Sequence, residues 1–458
     1  MILRDYQSRG IFDIRAAFRQ GYRRVLYALP TGGGKTLIFT YISEHAAARG
    51  TRVCILVHRR ELLLQVCRRL NYPHGVISPG FTEQPDRLIQ VATVQTLVRR
   101  LSRWAFDLIV CDETHHILCD TFMEIVNANP RARVLGVTAT PVRLDGRGLG
   151  QVFDTLITGP SVAELIQTGY LAQPVVYAPS IPDITALHTR GGDYITSELE
   201  RLADTSSVTG CAVSHYRKLA QGAPAIAFCV SVSHAERIAE QFQQAGYRAK
   251  CVEGRTPQRE RDKAISDLGA GRLDVLSSCD LISEGVDVPV VGCGILLRPT
   301  KSTGLALQQM GRILRPAPHK EHALILDHAG NCLRHGLPDE AREWSLESGI
   351  VRRATTDDED IEKVKQCQKC YYVYAVPPYV CPGCGQKAEP KPRVVSVADG
   401  ELKRIEKAEA WKKLRGEIQK ARTPDELRAI QKRQGYKPGW VHFVMQSRSR
   451  RATGNATG

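Results

Sequence analysis

The sequence predicts an α/β protein: two parallel-sheet domains in tandem, then a small four-cysteine module and a basic helical tail. Three observations carry this. Short apolar runs alternate with helix-like stretches in two separate blocks. Two CxxC pairs, Cys367/Cys370 and Cys381/Cys384, are separated by ten residues. Residues 401–458 hold 15 Lys/Arg against 6 Asp/Glu.

At 458 residues the chain is long enough for two or three separate cores. Its 43% hydrophobic and 24% charged content is that of a globular protein. No apolar run approaches the ~20 residues that cross a bilayer, and Met1-Ile2-Leu3-Arg4-Asp5 carries no apolar signal region. The expected location is therefore cytoplasmic, with no membrane partner. A net charge of +15 favours a polyanionic partner, because each phosphate neutralised by Lys or Arg releases counterions.

In the first block, Arg24 to Ala28 is a short apolar run followed by a Gly-rich turn and a helical stretch from Leu37 to Ala48. Val53 to Val57, Phe106 to Cys111 and Arg133 to Val137 repeat the strand pattern, with a helix through Leu62, Leu63, Leu64 and Val66. Alternation of this kind argues for a parallel sheet covered on both faces. From Pro160 to Pro182 the pattern loosens around Pro174, Pro179 and Pro182 and reads as a connection. The second block opens at Ala225 to Val230, continues with a helix capped by Ser231 or Ser233, and adds strands at Val275 to Ser278, Gly294 to Leu297 and Ala323 to Leu326.

Leu29-Pro30-Thr31-Gly32-Gly33-Gly34-Lys35-Thr36 follows a strand and opens a helix, the setting a phosphate loop requires. Glycines let backbone N–H groups curl around phosphates, and the helix N-terminus adds its positive end. Lys35 would neutralise the β- and γ-phosphates of ATP, and Thr36 would place its hydroxyl on Mg²⁺. Leu29 stands where the general motif has its first glycine. Asp112-Glu113-Thr114-His115 ends a strand, where an acidic pair meets the loop of a neighbouring strand. There Asp112 would hold Mg²⁺ and Glu113 would orient and deprotonate the attacking water.

These residues, in this order, resemble superfamily 2 helicases over roughly residues 1 to 330. Leu3-Arg4-Asp5-Tyr6-Gln7 resembles the adenine-recognising Q element, with Gln7 as its namesake. Pro30 to Thr36 is similar to the superfamily's shortened motif I, which accounts for Leu29. Val57 to Leu62 resembles motif Ia, and Thr93 to Leu97 a later DNA-contacting motif. Asp112 to His115 matches the DExH form of motif II, and Thr138-Ala139-Thr140-Pro141 motif III. Asp280 to Pro289, containing Asp287, resembles motif V; Gln308-Gln309-Met310-Gly311-Arg312-Ile313-Leu314-Arg315 matches motif VI. The resemblance implies a RecA-like domain over residues 1–160, a connecting segment over 161–206 and a second RecA-like domain over 207–350. It also implies that ATP is contacted by Gln7, Thr31, Gly32, Gly33, Gly34, Lys35, Thr36 and Asp287. Arg315, with Arg312 as partner, would reach the γ-phosphate from the second domain.

Ten cysteines lie singly between Cys54 and Cys332, mostly in apolar runs, and read as small buried hydrophobes in a reducing compartment. Cys367, Cys370, Cys381 and Cys384 form two knuckles suited to a tetrahedral structural Zn²⁺, making residues 360–392 a zinc-ribbon-like module. Its tyrosines, Tyr371, Tyr372, Tyr374 and Tyr379, either stack on unpaired bases or pack this small core; packing is favoured for most. A two-domain motor followed by such a module resembles the RadD-like branch associated with DNA repair, a resemblance supported by Ile325 to Asn331. The chain is short for that branch, as a phage-type version would be, and the setting implied is a bacterial or phage-infected cell, associated with the nucleoid.

The tail, 393–458, is expected to be basic and helical, with a helix opened by Thr423-Pro424-Asp425-Glu426 and ended at Gly435. It would bind nucleic acid, DNA in preference to RNA, or a replication or repair protein. The function expected is an ATP-dependent motor acting on DNA. Two alternatives stand beside it: the translocase of a restriction-type complex, and an ATP-gated remodelling protein that separates no strands. The E-x-K triplet Glu401-Leu402-Lys403 reads as charged helix surface rather than a nuclease site.

Overall fold

The computed structural model of the chain describes residues 3–114, 120–142, 148–179, 182–203, 212–220, 222–279, 291–317, 320–347, 352–353, 364–388, 417–418, 420–421, 423–434, 441 and 444–445. Residues 1–388 form one compact unit and 389–458 another.

The first block folds as a seven-stranded sheet of β1 (Arg24–Ala28), β2 (Val53–Val57), β3 (His74–Ile77), β4 (Ile89–Thr93), β5 (Leu108–Asp112), β6 (Arg133–Thr138) and β7 (Thr155–Thr158). The order is β3-β4-β2-β5-β6-β1-β7 and every pairing is parallel. Side chains alternate between two cores. Val25, Tyr27, Ile55 and Val57 pack under α1 (Asp5–Arg19), α2 (Lys35–Ala47) and α3 (Arg60–Arg69). Leu26, Cys54 and Leu56 pack with Phe122 and Ile125 of α4 (Asp120–Ala128) on the opposite face. Burial on both faces is the reason these strands read as unbroken apolar runs.

Residues expected to be a mere connection belong instead to the second domain. They supply α5 (Val162–Gln167) and β8 (Gln173–Tyr177), and β8 is the edge strand of the second sheet. Leu165, Leu171 and Val176 share one core with Ile226, Leu276 and Ile325. The prolines that suggested a linker have another cause. Pro174 lies on an edge strand opposite Ala323, where its missing N–H breaks no inner ladder.

The second sheet contains β9 (Ala225–Phe228), β10 (Ala249–Val252), β11 (Val275–Ser278), β12 (Cys293–Leu296) and β13 (His322–Asp327), ordered β10-β11-β9-β12-β13-β8 and wholly parallel. Helices α6 (Val232–Gln244), α7 (Gln258–Gly269), α8 (Thr303–Ile313) and α9 (Asn331–His335) accompany it. Ser231 rather than Ser233 caps α6, its hydroxyl accepting from the His234 N–H. The two sheets are RecA-like α/β domains.

The cysteine module opens with an antiparallel hairpin, β14 (Val364–Gln366) and β15 (Val373–Ala375). It is fastened to the free edge of β8: Tyr372 bridges Tyr177 in antiparallel fashion, and the Ala178 N–H donates to the Tyr371 carbonyl at 3.0 Å. Val364 and Val373 enter the core of the second domain. In the second unit, α10 (Pro424–Gln434) begins as expected, with Thr423 Oγ1 accepting from the Glu426 N–H and Glu426 accepting in return from the Thr423 N–H. Leu427 and Ile430 pack there with Ala421, Val441 and Val444. Gly435 and Glu401 to Lys403 lie outside the described residues. No helix among the described residues is long and apolar enough to cross a membrane.

Candidate functional site

The phosphate loop joins β1 to α2, and its shape follows from its glycines. Gly32 and Gly34 sit at φ of +87° and +86°, a region side chains resist. A Cβ on Gly34 would stand 2.4 Å from Gln7 Nε2, so the loop closes directly on the start of α1. Gln7 is buried and donates to the Gly33 carbonyl at 3.2 Å; the Tyr6 hydroxyl donates to the same oxygen at 2.8 Å. Leu29, the residue in place of a first glycine, is fully buried, with its side chain against Gly33 from below.

Lys35 begins α2. Its Nζ donates to the Leu29 carbonyl at 3.4 Å and stands 3.8 Å from Glu113 Oε1. Asp112, the last residue of β5, is buried and accepts from the Glu113 N–H at 3.0 Å. Burial, helped by the Glu113 charge, pushes the Asp112 carboxyl up to about 7, with Lys35 opposing. Glu113 adopts φ +47°, one of two non-glycine residues with positive φ among those described. Strain of this sort collects at functional sites. Thr114 ties β5 to β6, donating to the Cys111 and Val137 carbonyls at 3.1 and 3.2 Å.

The second domain meets this loop through α8. A Cβ on Gly311 would lie 2.7 Å from Thr31 Cβ, and one on Gly32 would lie 3.5 Å from Arg315 Cγ. A cavity of about 460 Å³ is lined by Gln7, Thr31, Gly32, Gly34, Lys35, Thr36, Asp112 and Glu113 from the first domain and by Arg312 and Arg315 from the second. Of the expected ATP-site residues that are described, all but Gly33 line this one space, and the Gly33 carbonyl is taken up by Tyr6 and Gln7. Asp287 and His115 lie outside the described residues. The Thr36 hydroxyl and the Asp112 carboxylate are hard oxygen donors of the kind Mg²⁺ accepts.

Four contributors were not singled out in the sequence. Arg4 lines the cavity and lies 4.2 Å above the Tyr170 ring. Gln65 and Arg69 line it together with Leu62; the spacing of three and seven residues on α3 was the available signal. Lys320 has a positioning geometry: its Nζ donates to the Val291 and Arg315 carbonyls at 2.5 and 2.8 Å, and to the Ile313 carbonyl. It therefore gathers the C-terminal end of α8, where carbonyls lack helical partners.

In the cysteine module all four Sγ atoms lie within 4.8 Å of one another, with Cys367–Cys384 and Cys370–Cys381 at 3.6 Å. A zinc–sulfur length of about 2.3 Å places tetrahedral sulfurs roughly 3.8 Å apart, so the cluster fits Zn²⁺ with little adjustment. Of the isolated cysteines, Cys54, Cys111, Cys229, Cys293 and Cys332 are buried, and burial pushes the Cys54, Cys229, Cys293 and Cys332 thiols well up. They are inert packing residues.

Two tandem RecA-like sheets, a phosphate loop, an acidic pair at a strand end and arginines from the opposite domain define a nucleotide-driven motor ATPase. Comparisons narrow the class. Residues 1–143 match the family described as "Type III restriction enzyme, res subunit", and residues 210–317 match "Helicase conserved C-terminal domain". A 51.5 kDa protein of a Lactococcus phage (isolate 7-9) is 37% identical over 360 residues, covering 78% of this chain and 76% of the phage protein. IRC3 of Saccharomyces cerevisiae, which carries an ATP-dependent helicase name, is 31% identical over 357 residues, covering 72% of this chain but only 52% of the yeast protein. The fragment of a protein described as an HsdR subunit of a type I restriction enzyme from Vibrio vulnificus YJ016 superposes with TM-score 0.60 at 22% identity, over 74% of this chain and 66% of that one. That likeness concerns the fold. The chain belongs to the superfamily 2 helicases and is an ATP-hydrolysing enzyme.

Proposed function

We propose that the chain is a nucleic-acid-stimulated ATPase that translocates on or opens DNA during repair, recombination or replication. One observation carries the reading: Lys35, Thr36, Asp112 and Glu113 face Arg312 and Arg315 across a single interdomain cavity. Lys35 neutralises the β- and γ-phosphates, Thr36 and Asp112 hold Mg²⁺, and Glu113 orients the attacking water. Arg315, with Arg312 beside it, completes the site only when the domains close, so hydrolysis and domain movement become one event. Gln7 reads the nucleotide beside the loop. The four cysteines hold a structural Zn²⁺, which supplies a fixed fold rather than chemistry because a closed Cys₄ set leaves no open position. The basic tail adds salt-sensitive affinity for DNA or a site for a repair protein. The cysteine module behind the motor supports the RadD-like affiliation, and the phage relative supports a bacterial or phage-infected setting.

A second reading is the translocase of a restriction-type complex, favoured by the family matched over residues 1–143. Strand displacement separates the two, since a pure translocase moves without it.

The test is ATP hydrolysis by wild type and Lys35→Ala with no polynucleotide, single-stranded DNA, duplex DNA and RNA. Strong stimulation by DNA, abolished in the variant, is the expected result. Hydrolysis indifferent to every polynucleotide would replace the motor with an ATP-gated remodelling protein.

A further inference from the structure

Among the described residues, five large hydrophobic side chains are exposed, and three of them, Tyr371, Tyr379 and Val380, belong to the cysteine module. Tyr374 is buried and Tyr372 packs edge-on against Tyr177 at 5.3 Å, so the small core is satisfied without Tyr371 and Tyr379. Tyr379 is 50% exposed, and Lys365 Nζ sits 5.5 Å from its ring centroid. Val380 pairs across an antiparallel bridge with Lys387, so those two side chains share one face and Tyr379, the preceding residue, takes the other. Residues 364–388 contain three lysines and no Asp or Glu. An exposed aromatic ring with an ammonium group beside it suits a base stacked on the ring with a phosphate near the lysine.

The position of the patch adds to this. Every strand of the second sheet is parallel, and the module is fastened at the carboxyl end of β8 through Tyr177 and Ala178. Ligand-binding loops of open α/β sheets emerge at that end. Val364 and Val373 anchor the hairpin in the domain core, so the exposed ring is held on a rigid support.

We propose that the exposed ring of Tyr379, with Lys365 beside it, is a stacking platform for an unpaired nucleic-acid strand. Tyr379 takes a base on its ring, and Lys365 takes a neighbouring phosphate. This rests on the reading of the chain as a nucleic-acid motor and adds to it a contact outside the two motor domains.

The experiment uses the full-length protein, a fluorescent oligo(dT) strand and a duplex of equal length, with binding read by anisotropy and zinc content measured for each variant. Tyr379→Ala is expected to weaken oligo(dT) binding by roughly five- to hundredfold, as loss of one stacked base does, and duplex binding far less. Tyr379→Phe keeps the ring and restores binding. Lys365→Ala lowers affinity and flattens its salt dependence. Equal loss on strand and duplex, or unchanged affinity with zinc retained, overturns the platform and leaves the patch as a protein-facing surface. Failure of the motor reading shows itself separately, as wild-type hydrolysis that no polynucleotide stimulates.

Discussion

The nucleotide cleft and the cysteine cluster are built on opposite plans. The cleft draws on residues as far apart as Gln7 and Arg315, borrows from two domains, stays open, and holds Glu113 at a strained φ of +47°. The cluster takes all its ligands from Cys367 to Cys384, and its sulfurs converge within 4.8 Å. The difference is one of purpose. A site that must open and close needs parts that separate, whereas a structural site needs parts that do not. A change in the cleft should therefore remove chemistry and leave folding intact, and a change in the cluster should do the reverse.

Arg315→Ala puts the sharpest strain on that contrast. The expected result is a fall of about 10³ in kcat, with ATP affinity little altered and an unchanged melting midpoint. A loss in midpoint as large as in a core variant would mean that α8 is held by this side chain rather than completed by it. Cys381→Ala should produce the mirror image. Zinc is released, the hairpin loosens and the midpoint drops, while kcat at 25 °C stays within about twofold because the two sites share no residue. Metal analysis decides this directly: full zinc content in the variant would end the Cys₄ assignment.

The smallest effect concerns Lys320. Burial, aided by the Arg315 charge, pushes its ammonium down to about 8. Between that pH and the ordinary lysine range the unfolded chain binds more protons than the folded one. The stability of wild type relative to Lys320→Met therefore rises with pH across this window. Hydrolysis moves the other way. A neutral amine has two N–H groups for three carbonyls, so kcat should fall roughly two- to tenfold as one bond is lost. Lys320→Met should show the lower rate already at pH 7. Parallel pH profiles for the two proteins would detach Lys320 from the arginines.

Much of both regions was legible in the sequence because their chemistry leaves local marks. Strands buried on both faces write apolar runs, phosphate loops write glycines, and metal knuckles write CxxC. What was not legible is contact between distant segments. Pro174 marked a linker by composition, yet an edge strand tolerates it, and nothing local shows that β8 pairs with β13. Lys320 looks like any surface lysine until three carbonyls are placed around it. Tyr371, Tyr372, Tyr374 and Tyr379 looked alike in sequence; packing divides them, burying Tyr374, setting Tyr372 against Tyr177 and leaving the other two in solvent.

The edge strand β8 has a consequence for how the protein comes off the ribosome. Gln173 lies opposite His322, so β8 is synthesised long before its neighbour and waits as an unpaired strand. The carboxyl end of its other side is tied down only when Tyr371 and Tyr372 arrive. Until then the nascent chain presents an open ladder of amides and carbonyls, the kind of template that recruits a second chain. Fragments ending between β13 and the first knuckle should accordingly express as aggregates, even though both motor sheets are complete in sequence.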